Sequence, residues 1–179
     1  MSQPLLETPP FLAEHTALGS VRGDTGRLLD VTLIRLPPGE ATALGAAFAA
    51  IEPWVKYPYP AASLAAYFIK GDNSAPMLAV QVNERTAGAI GLRLNWLCGP
   101  YIQFLGFKPG YQRLGLGSMA LSWIDAQTRN AGQRNVFVAS SDFNSSALRF
   151  YQRHGFEPVG TLKGLVQEER DEVLLHKKM

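Results

Sequence analysis

Phe104-Leu105-Gly106-Phe107-Lys108-Pro109-Gly110-Tyr111-Gln112-Arg113-Leu114-Gly115-Leu116-Gly117-Ser118-Met119-Ala120-Leu121 is the stretch on which the fold turns. It begins as an apolar strand, bends at Pro109-Gly110, runs through a glycine-punctuated loop and enters a helix. Glycines let such a loop aim successive backbone N–H groups in one direction. The first turn of a helix leaves further N–H groups without intrahelical acceptors, and the helix dipole adds positive potential at the same end. The stretch therefore reads as a seat for an anion, most naturally a pyrophosphate.

Downstream, the periodicity of Leu116, Ala120, Ile124 and Ala131, joined by Leu121 and Trp123, predicts a helix over Leu116–Ala131 with Gly132 at its end. Asn135–Ser140 is continuously apolar, as suits a strand buried on both faces. Strand, helix and strand at this spacing imply a parallel pair joined by a right-handed crossover. Ser145–His154 is expected to be helical, with Asn144 or Ser145 as its cap and Gly155 as its stop. Phe156–Leu162 and Asp171–Lys177 read as the last two strands.

Upstream, Met77–Val82 and Ala87–Leu94 flank Asn83-Glu84-Arg85-Thr86 and predict an antiparallel hairpin. Ala61–Lys70 and Glu40–Ile51 read as helices, and Asp30–Leu36 as a first strand. The expected architecture is α/β (α+β), a single domain over residues 30–179. Its sheet is mixed and mostly antiparallel, with a central parallel strand-helix-strand crossover and helices on both faces. Residues 1–29, rich in proline and glycine and weak in periodicity, are expected to form an ordered arm. The arm would lie along the sheet edge or on a second subunit of a homodimer.

The chain has 179 residues, 46% hydrophobic and 18% charged, which suits one compact core. Lys and Arg number 17 against 15 Asp and Glu, a formal charge of +2, with no basic run to suggest nucleic acid as a partner. Cys98 is the single cysteine, so neither an internal disulfide nor a multi-cysteine metal site is expected. Met1–Ser20 lacks Lys, Arg and a long apolar core, so no signal peptide is expected. The longest apolar stretch, Ala41–Ile51, is too short to span a membrane. The expectation is a cytoplasmic protein without metal, nucleic-acid or membrane partners.

Three phosphate motifs compete for the loop. A Walker loop has the right gap from Gly110 to Gly115, but Leu116-Gly117 stands where Lys-Ser/Thr is needed to hold the outer phosphates. A dinucleotide fingerprint fits Gly115-Leu116-Gly117-Ser118-Met119-Ala120, and Asp142 falls roughly where a ribose-binding acid belongs. However, Lys108–Leu114 separates the glycines from the strand, and too little chain follows for a doubly wound sheet. Gln112-Arg113-Leu114-Gly115-Leu116-Gly117 fits Q/R-x-x-G-x-G/A. On this motif the chain resembles the GNAT superfamily of acyl-CoA-dependent N-acyltransferases. Phe107-Lys108-Pro109 before the loop is similar to the family's strand end. Asn144, Ala147-Leu148-Arg149-Phe150-Tyr151 and His154-Gly155-Phe156 are similar to its second signature. The order of elements from Asp30 to Met179 agrees.

The resemblance implies acetyl transfer from acetyl-CoA to a primary amine by direct attack in a ternary complex, with no metal. Gln112, Arg113, Leu114, Gly115, Leu116, Gly117 and Ser118 are then the coenzyme pyrophosphate loop. The strand Phe104, Leu105, Gly106 and Phe107 splays from Val138–Ser140 and binds the pantetheine arm, and Gly106 suits a bulge or a close ligand approach. A backbone N–H near Phe104–Gly106 faces the thioester oxygen as it gains charge. Asn144 becomes a coenzyme ligand as well as a cap. Tyr151, seven positions on and ~2 helical turns away, becomes a coenzyme contact and the acid for the departing thiolate. A phenol pKa of about 10 against about 8.5 for a thiol permits that transfer.

The base is less legible. Some relatives place a glutamate on a central strand, but Gln103 and Ala139 occupy strand positions here, and Asp125 is in mid-helix. Asp142 is the nearest candidate in the sequence, beside a water relay to backbone carbonyls. Direct transfer leaves no work for Cys98, and His154 near a helix end answers the dipole. The link between the first two helices brings Trp54, Tyr57 and Tyr59 toward the acceptor, or uses them as a plug against the sheet. Trp96 and a Thr161–Val166 connection are further candidates. The acceptor is a small molecule or a peptide N-terminus. The alternative function is a non-catalytic acyl-CoA-binding or sensing domain.

Overall fold

The computed structural model describes Phe11, residues 15–23, residues 25–57 and residues 59–179. Its elements are β1 (Thr16–Arg22), β2 (Leu28–Arg35), α1 (Ala41–Ala49), α2 (Ala61–Ile69), β3 (Met77–Val82), β4 (Arg85–Trp96), β5 (Gly99–Phe107), α3 (Leu116–Asn130), β6 (Asn135–Ser141), α4 (Ser145–Arg153), β7 (Glu157–Gln167) and β8 (Arg170–Lys178). The eight strands form one sheet in the order β1-β2-β3-β4-β5-β6-β8-β7. Every pairing is antiparallel except β5 with β6, so the expected mixed sheet with one parallel crossover is what the chain forms.

Strand alternation divides the core between the two faces. Leu78, Val80, Val82, Ile90, Leu92, Val136, Val138 and Leu175 pack with Leu116, Ala120, Leu121 and Ile124 of α3. Met77, Ala79 and Ala89 point the other way, onto Leu44 and Phe48 of α1 and Leu64 and Phe68 of α2. Much of the expected arm lies outside the described residues. Of the rest, β1 pairs along β2 at the sheet edge. The alternation of β1 is weak in sequence because Val21 is its only buried residue.

Two local departures in β5 position the site. Gly91 faces Phe104 while Leu92 faces Ile102, so Gln103 is an extra residue on β5. This bulge flips the side-chain parity. Ile102 packs on the α3 side, whereas Phe104 joins the α1–α2 side. Gly106 suited a bulge or a close ligand approach; the bulge is at Gln103. Gly106 instead admits aromatic side chains: a Cβ there would lie 2.6 Å from Trp54 and 2.8 Å from Phe48. The second departure is a short parallel pairing. β5 meets β6 only at Tyr101–Phe137 and Ile102–Val138. Beyond that point the strands part and a cleft opens between them.

The Thr161–Val166 connection is also corrected. Those residues belong to β7, which runs on to Gln167 before the turn into β8. Cys98 lies in the β4–β5 turn, exposed, and Gly99-Pro100 already belong to β5.

Candidate active site

The loop after β5 has backbone at positive φ at Gly110 (85°), Arg113 (64°) and Gly115 (82°). Arg113 holds this conformation at a cost of roughly 1–2 kcal/mol that glycine avoids. Gly115 precedes α3 and gives it no side-chain cap. Met119 N–H is the first to reach back into the loop, to the Gly115 carbonyl at 3.1 Å. The preceding N–H groups of the first turn are free to meet an anion. Gly117 carries no Cβ because one would sit 2.9 Å from the Phe150 ring.

A cavity of about 500 Å³ lies over this helix start. Gly106 and Phe107, the loop residues Gln112, Arg113, Gly115, Leu116, Gly117 and Ser118, and Phe150 of α4 line it. Gln112 also turns its side chain back, donating from Nε2 to the Phe107 carbonyl at 3.1 Å. Leu114 is not on the cavity wall; it packs against the core beneath.

A second cavity, about 360 Å³, opens where β5 and β6 part. Phe104, Tyr57 and Tyr59 line it, with Glu172 of β8 and Leu165 and Val166 of β7. The two cavities share Trp54, Leu105, Asn144 and Tyr151 as a common wall. Trp54 stacks on Phe104 with centroids 4.8 Å apart and planes at 23°, and meets Phe48 edge-on. It is thus both the plug and the partition. Trp96 packs on Tyr101 and Phe137 and lines neither cavity.

Asn144 caps α4: its Oδ1 accepts from Ala147 N–H at 3.2 Å and from Ser146 Oγ at 2.9 Å. Any further contact from this side chain falls to its amide nitrogen. Tyr151 is buried, and that desolvation pushes its phenol pKa well above the usual value, with Tyr101 nearby adding to it. Its hydroxyl therefore stays protonated at neutral pH, as an acid must.

Asp142 stands exposed in the turn after β6 and lines neither cavity. The carboxylate on the wall of this second cavity is Glu172, buried at 6% exposure. It faces Ser141 across the β6–β8 ladder, so both side chains point to the α1–α2 side. The Tyr57 hydroxyl donates to Glu172 Oε1 at 2.5 Å. With that hydrogen committed, the Ser141 hydroxyl donates to the Tyr57 oxygen. Burial, then the bond to Glu172, push the Tyr57 phenol up to about 12. Outside this cluster, Phe143 lies between Lys56 (5.0 Å) and Arg170 (4.6 Å), holding the α1–α2 link against the β7–β8 hairpin.

Glu172 is hard to see in the sequence because it lies on β8, far along the chain from the central strands where some relatives place a glutamate. The available signal was a carboxylate at an interior position of β8, out of phase with Val173 and Leu175, which face α3. Among the described residues no group of His, Cys, Asp and Glu could hold a metal ion, and no helix is long and apolar enough to cross a membrane.

A family model described as the acetyltransferase (GNAT) family matches residues 42–156, and the chain belongs to that family. N-alpha-acetyltransferase 50 of Danio rerio is 29% identical over 103 residues, or 54% of this chain. The chain spans about 61% of the length of that curated relative. Two solved structures share the fold. Ard1 from Thermoplasma volcanium has a TM-score of 0.68 at 16% identity, covering 83% of this chain and 97% of its own. A GNAT family acetyltransferase from Elizabethkingia anophelis with acetyl-CoA bound has a TM-score of 0.58 at 15% identity, covering 75% and 89%.

Proposed function

We propose that this protein transfers an acetyl group from acetyl-CoA to a primary amine by direct attack in a ternary complex. The observation that carries this reading is the shared wall at Leu105, Asn144 and Tyr151. It separates a cavity suited to an anion from one suited to a cation. The free N–H groups at the start of α3 and the flanking Arg113 fit a pyrophosphate. The parted strand Phe104–Phe107 fits the pantetheine arm. The Glu172 carboxylate favours an ammonium at the far end.

Bound acetyl-CoA supplies a thioester whose C–S bond breaks as the amine forms its C–N bond. Glu172 takes the proton lost by the amine, directly or through the Tyr57 hydroxyl or a water. Tyr151 gives its proton to the leaving sulfur. Backbone N–H groups of β5 near Leu105 meet the charge that develops on the carbonyl oxygen. The aromatic and aliphatic walls from Trp54, Tyr57, Tyr59, Leu165 and Val166 suit an acceptor with an apolar group beside its amine. A peptide N-terminus has this form, as do small amines, and the name of the Danio rerio relative favours the peptide.

The test is release of free thiol from acetyl-CoA with a panel of amines and short peptides. Acetyl-CoA binding with no release on any of them would support the rival reading, a non-catalytic acyl-CoA-binding domain. That rival rests on the lack of a strand carboxylate, and Glu172 weighs against it.

A further inference from the structure

Ser118 stands in the first turn of α3 on the wall of the coenzyme cavity. Its hydroxyl is 2.9 Å from Nε2 of His154, the residue that ends α4. The other ring nitrogen, Nδ1, is 2.8 Å from the Phe150 carbonyl oxygen. A carbonyl oxygen only accepts, so Nδ1 carries a hydrogen in either charge state. The difference lies at Nε2. In a neutral ring Nε2 is an acceptor, and the Ser118 O–H must point at it. Ser118 then turns only lone pairs toward the cavity. In a charged ring Nε2 donates, Ser118 accepts, and its own O–H is released toward the cavity. An ionised phosphate oxygen also only accepts. The Ser118 hydroxyl can therefore serve a phosphate without leaving Nε2 unpaired only when His154 is charged.

We propose that His154 takes up a proton as the coenzyme's phosphates dock, and so positions the Ser118 hydroxyl as a donor to them. This rests on the coenzyme reading given above. The surroundings favour such coupling. His154 caps the C-terminal end of α4, where a cation is stabilised. Arg153 beside it and Arg113 in the loop line the same cavity. Lys177 of β8 passes Gly155, and its ammonium is paired with Asp125 of α3. Glu52, on the opposite wall, is paired with Lys56 at 2.9 Å. The two carboxylates thus already have partners, and the negative charge that balances His154 arrives with the ligand. His154 is a positioning residue here, acting on the ligand through Ser118.

The test is calorimetric titration of the full chain with acetyl-CoA at pH about 8, in two buffers of different ionisation heat. The difference in heat yields the protons taken up per coenzyme. At that pH a phosphate monoester, with a second pKa of about 6, is already ionised and takes up none. The wild type is expected to take up a substantial fraction of a proton. By linkage its affinity then rises as pH falls, by up to roughly tenfold per pH unit for one full proton. His154→Gln abolishes the uptake and flattens this dependence. Ser118→Ala keeps the imidazole, loses most of the uptake, and carries the test alone if His154→Gln does not fold. Uptake in the variants equal to that of the wild type, or none in the wild type, overturns the proposal. No binding of acetyl-CoA by the wild type overturns the coenzyme reading instead, and this inference with it.

Discussion

The Tyr57 hydroxyl donates to Glu172 across 115 positions of sequence, closing the second cavity from the α1–α2 link to β8. This one contact joins an aromatic residue of the link between two helices to a carboxylate near the end of the chain. It also gives the buried carboxylate a hydrogen-bond donor, which a buried charge requires.

Glu172→Gln keeps the shape of this contact and removes the base. We expect kcat to fall roughly 10²-fold with acetyl-CoA affinity unchanged. The deficit should shrink at alkaline pH, where the amine loses its proton unaided. Steady-state rates from pH 6 to 10 check this. A variant with wild-type kcat across that range would exclude Glu172 as the base.

Tyr57→Phe leaves Glu172 without its donor, a loss of about 1–3 kcal/mol in stability. The Tyr57 phenol, pushed up to about 12 by burial and Glu172, also carries a pH signature. Its folded pKa lies above the unfolded value of about 10, so its stabilising effect is full below pH 10 and is lost as pH rises toward 12. Urea midpoints across that window should converge for wild type and Tyr57→Phe. Parallel curves would mean that the phenol does not titrate as described.

For Tyr151→Phe the expectation is a kcat roughly 10²-fold lower with little change in coenzyme affinity. Because burial holds the phenol protonated, the wild-type rate should show no loss near pH 9 that the variant lacks. An unchanged kcat in single-turnover experiments would remove Tyr151 from the chemistry.

Gly117→Glu places bulk against Phe150 and negative charge at the helix start. Acetyl-CoA binding should be lost while circular dichroism reports an intact fold. Retained affinity would refute the assignment of the loop to the pyrophosphate.

Gly106→Ala tests the partition. Its Cβ would meet Trp54 at 2.6 Å and Phe48 at 2.8 Å, so Trp54 must move. Overpacking of this kind costs about 1–3 kcal/mol. The acceptor KM should rise with it, since Trp54 bounds both cavities. Stability and KM both at wild-type values would show that the partition yields freely.

From β2 onward the elements were legible, apart from the second half of β7, because each follows from local signals. Leu116–Asn130 has helical period and a glycine on each side, and Asn135–Ser141 is a continuous apolar strand. The edge strand β1 was not legible, since burial imposes alternation and β1 buries one residue. Gly106 allowed either a bulge or a close approach, and the bulge lies at Gln103; glycine signals a close approach without saying what approaches. Here it was Trp54, from just over fifty residues upstream.

By itself the sequence determined the anion seat. Positive-φ glycines, an uncapped helix start and the strand before it all lie within Phe104–Leu121, and short-range sterics set the direction of their N–H groups. The tertiary structure alone decided what lies across the shared wall from it. Tyr57, Ser141 and Glu172 come from the α1–α2 link, β6 and β8, and no local preference brings them together. Strand pairing sets Glu172 opposite Ser141, and the packing of the α1–α2 link then lays Tyr57 over both.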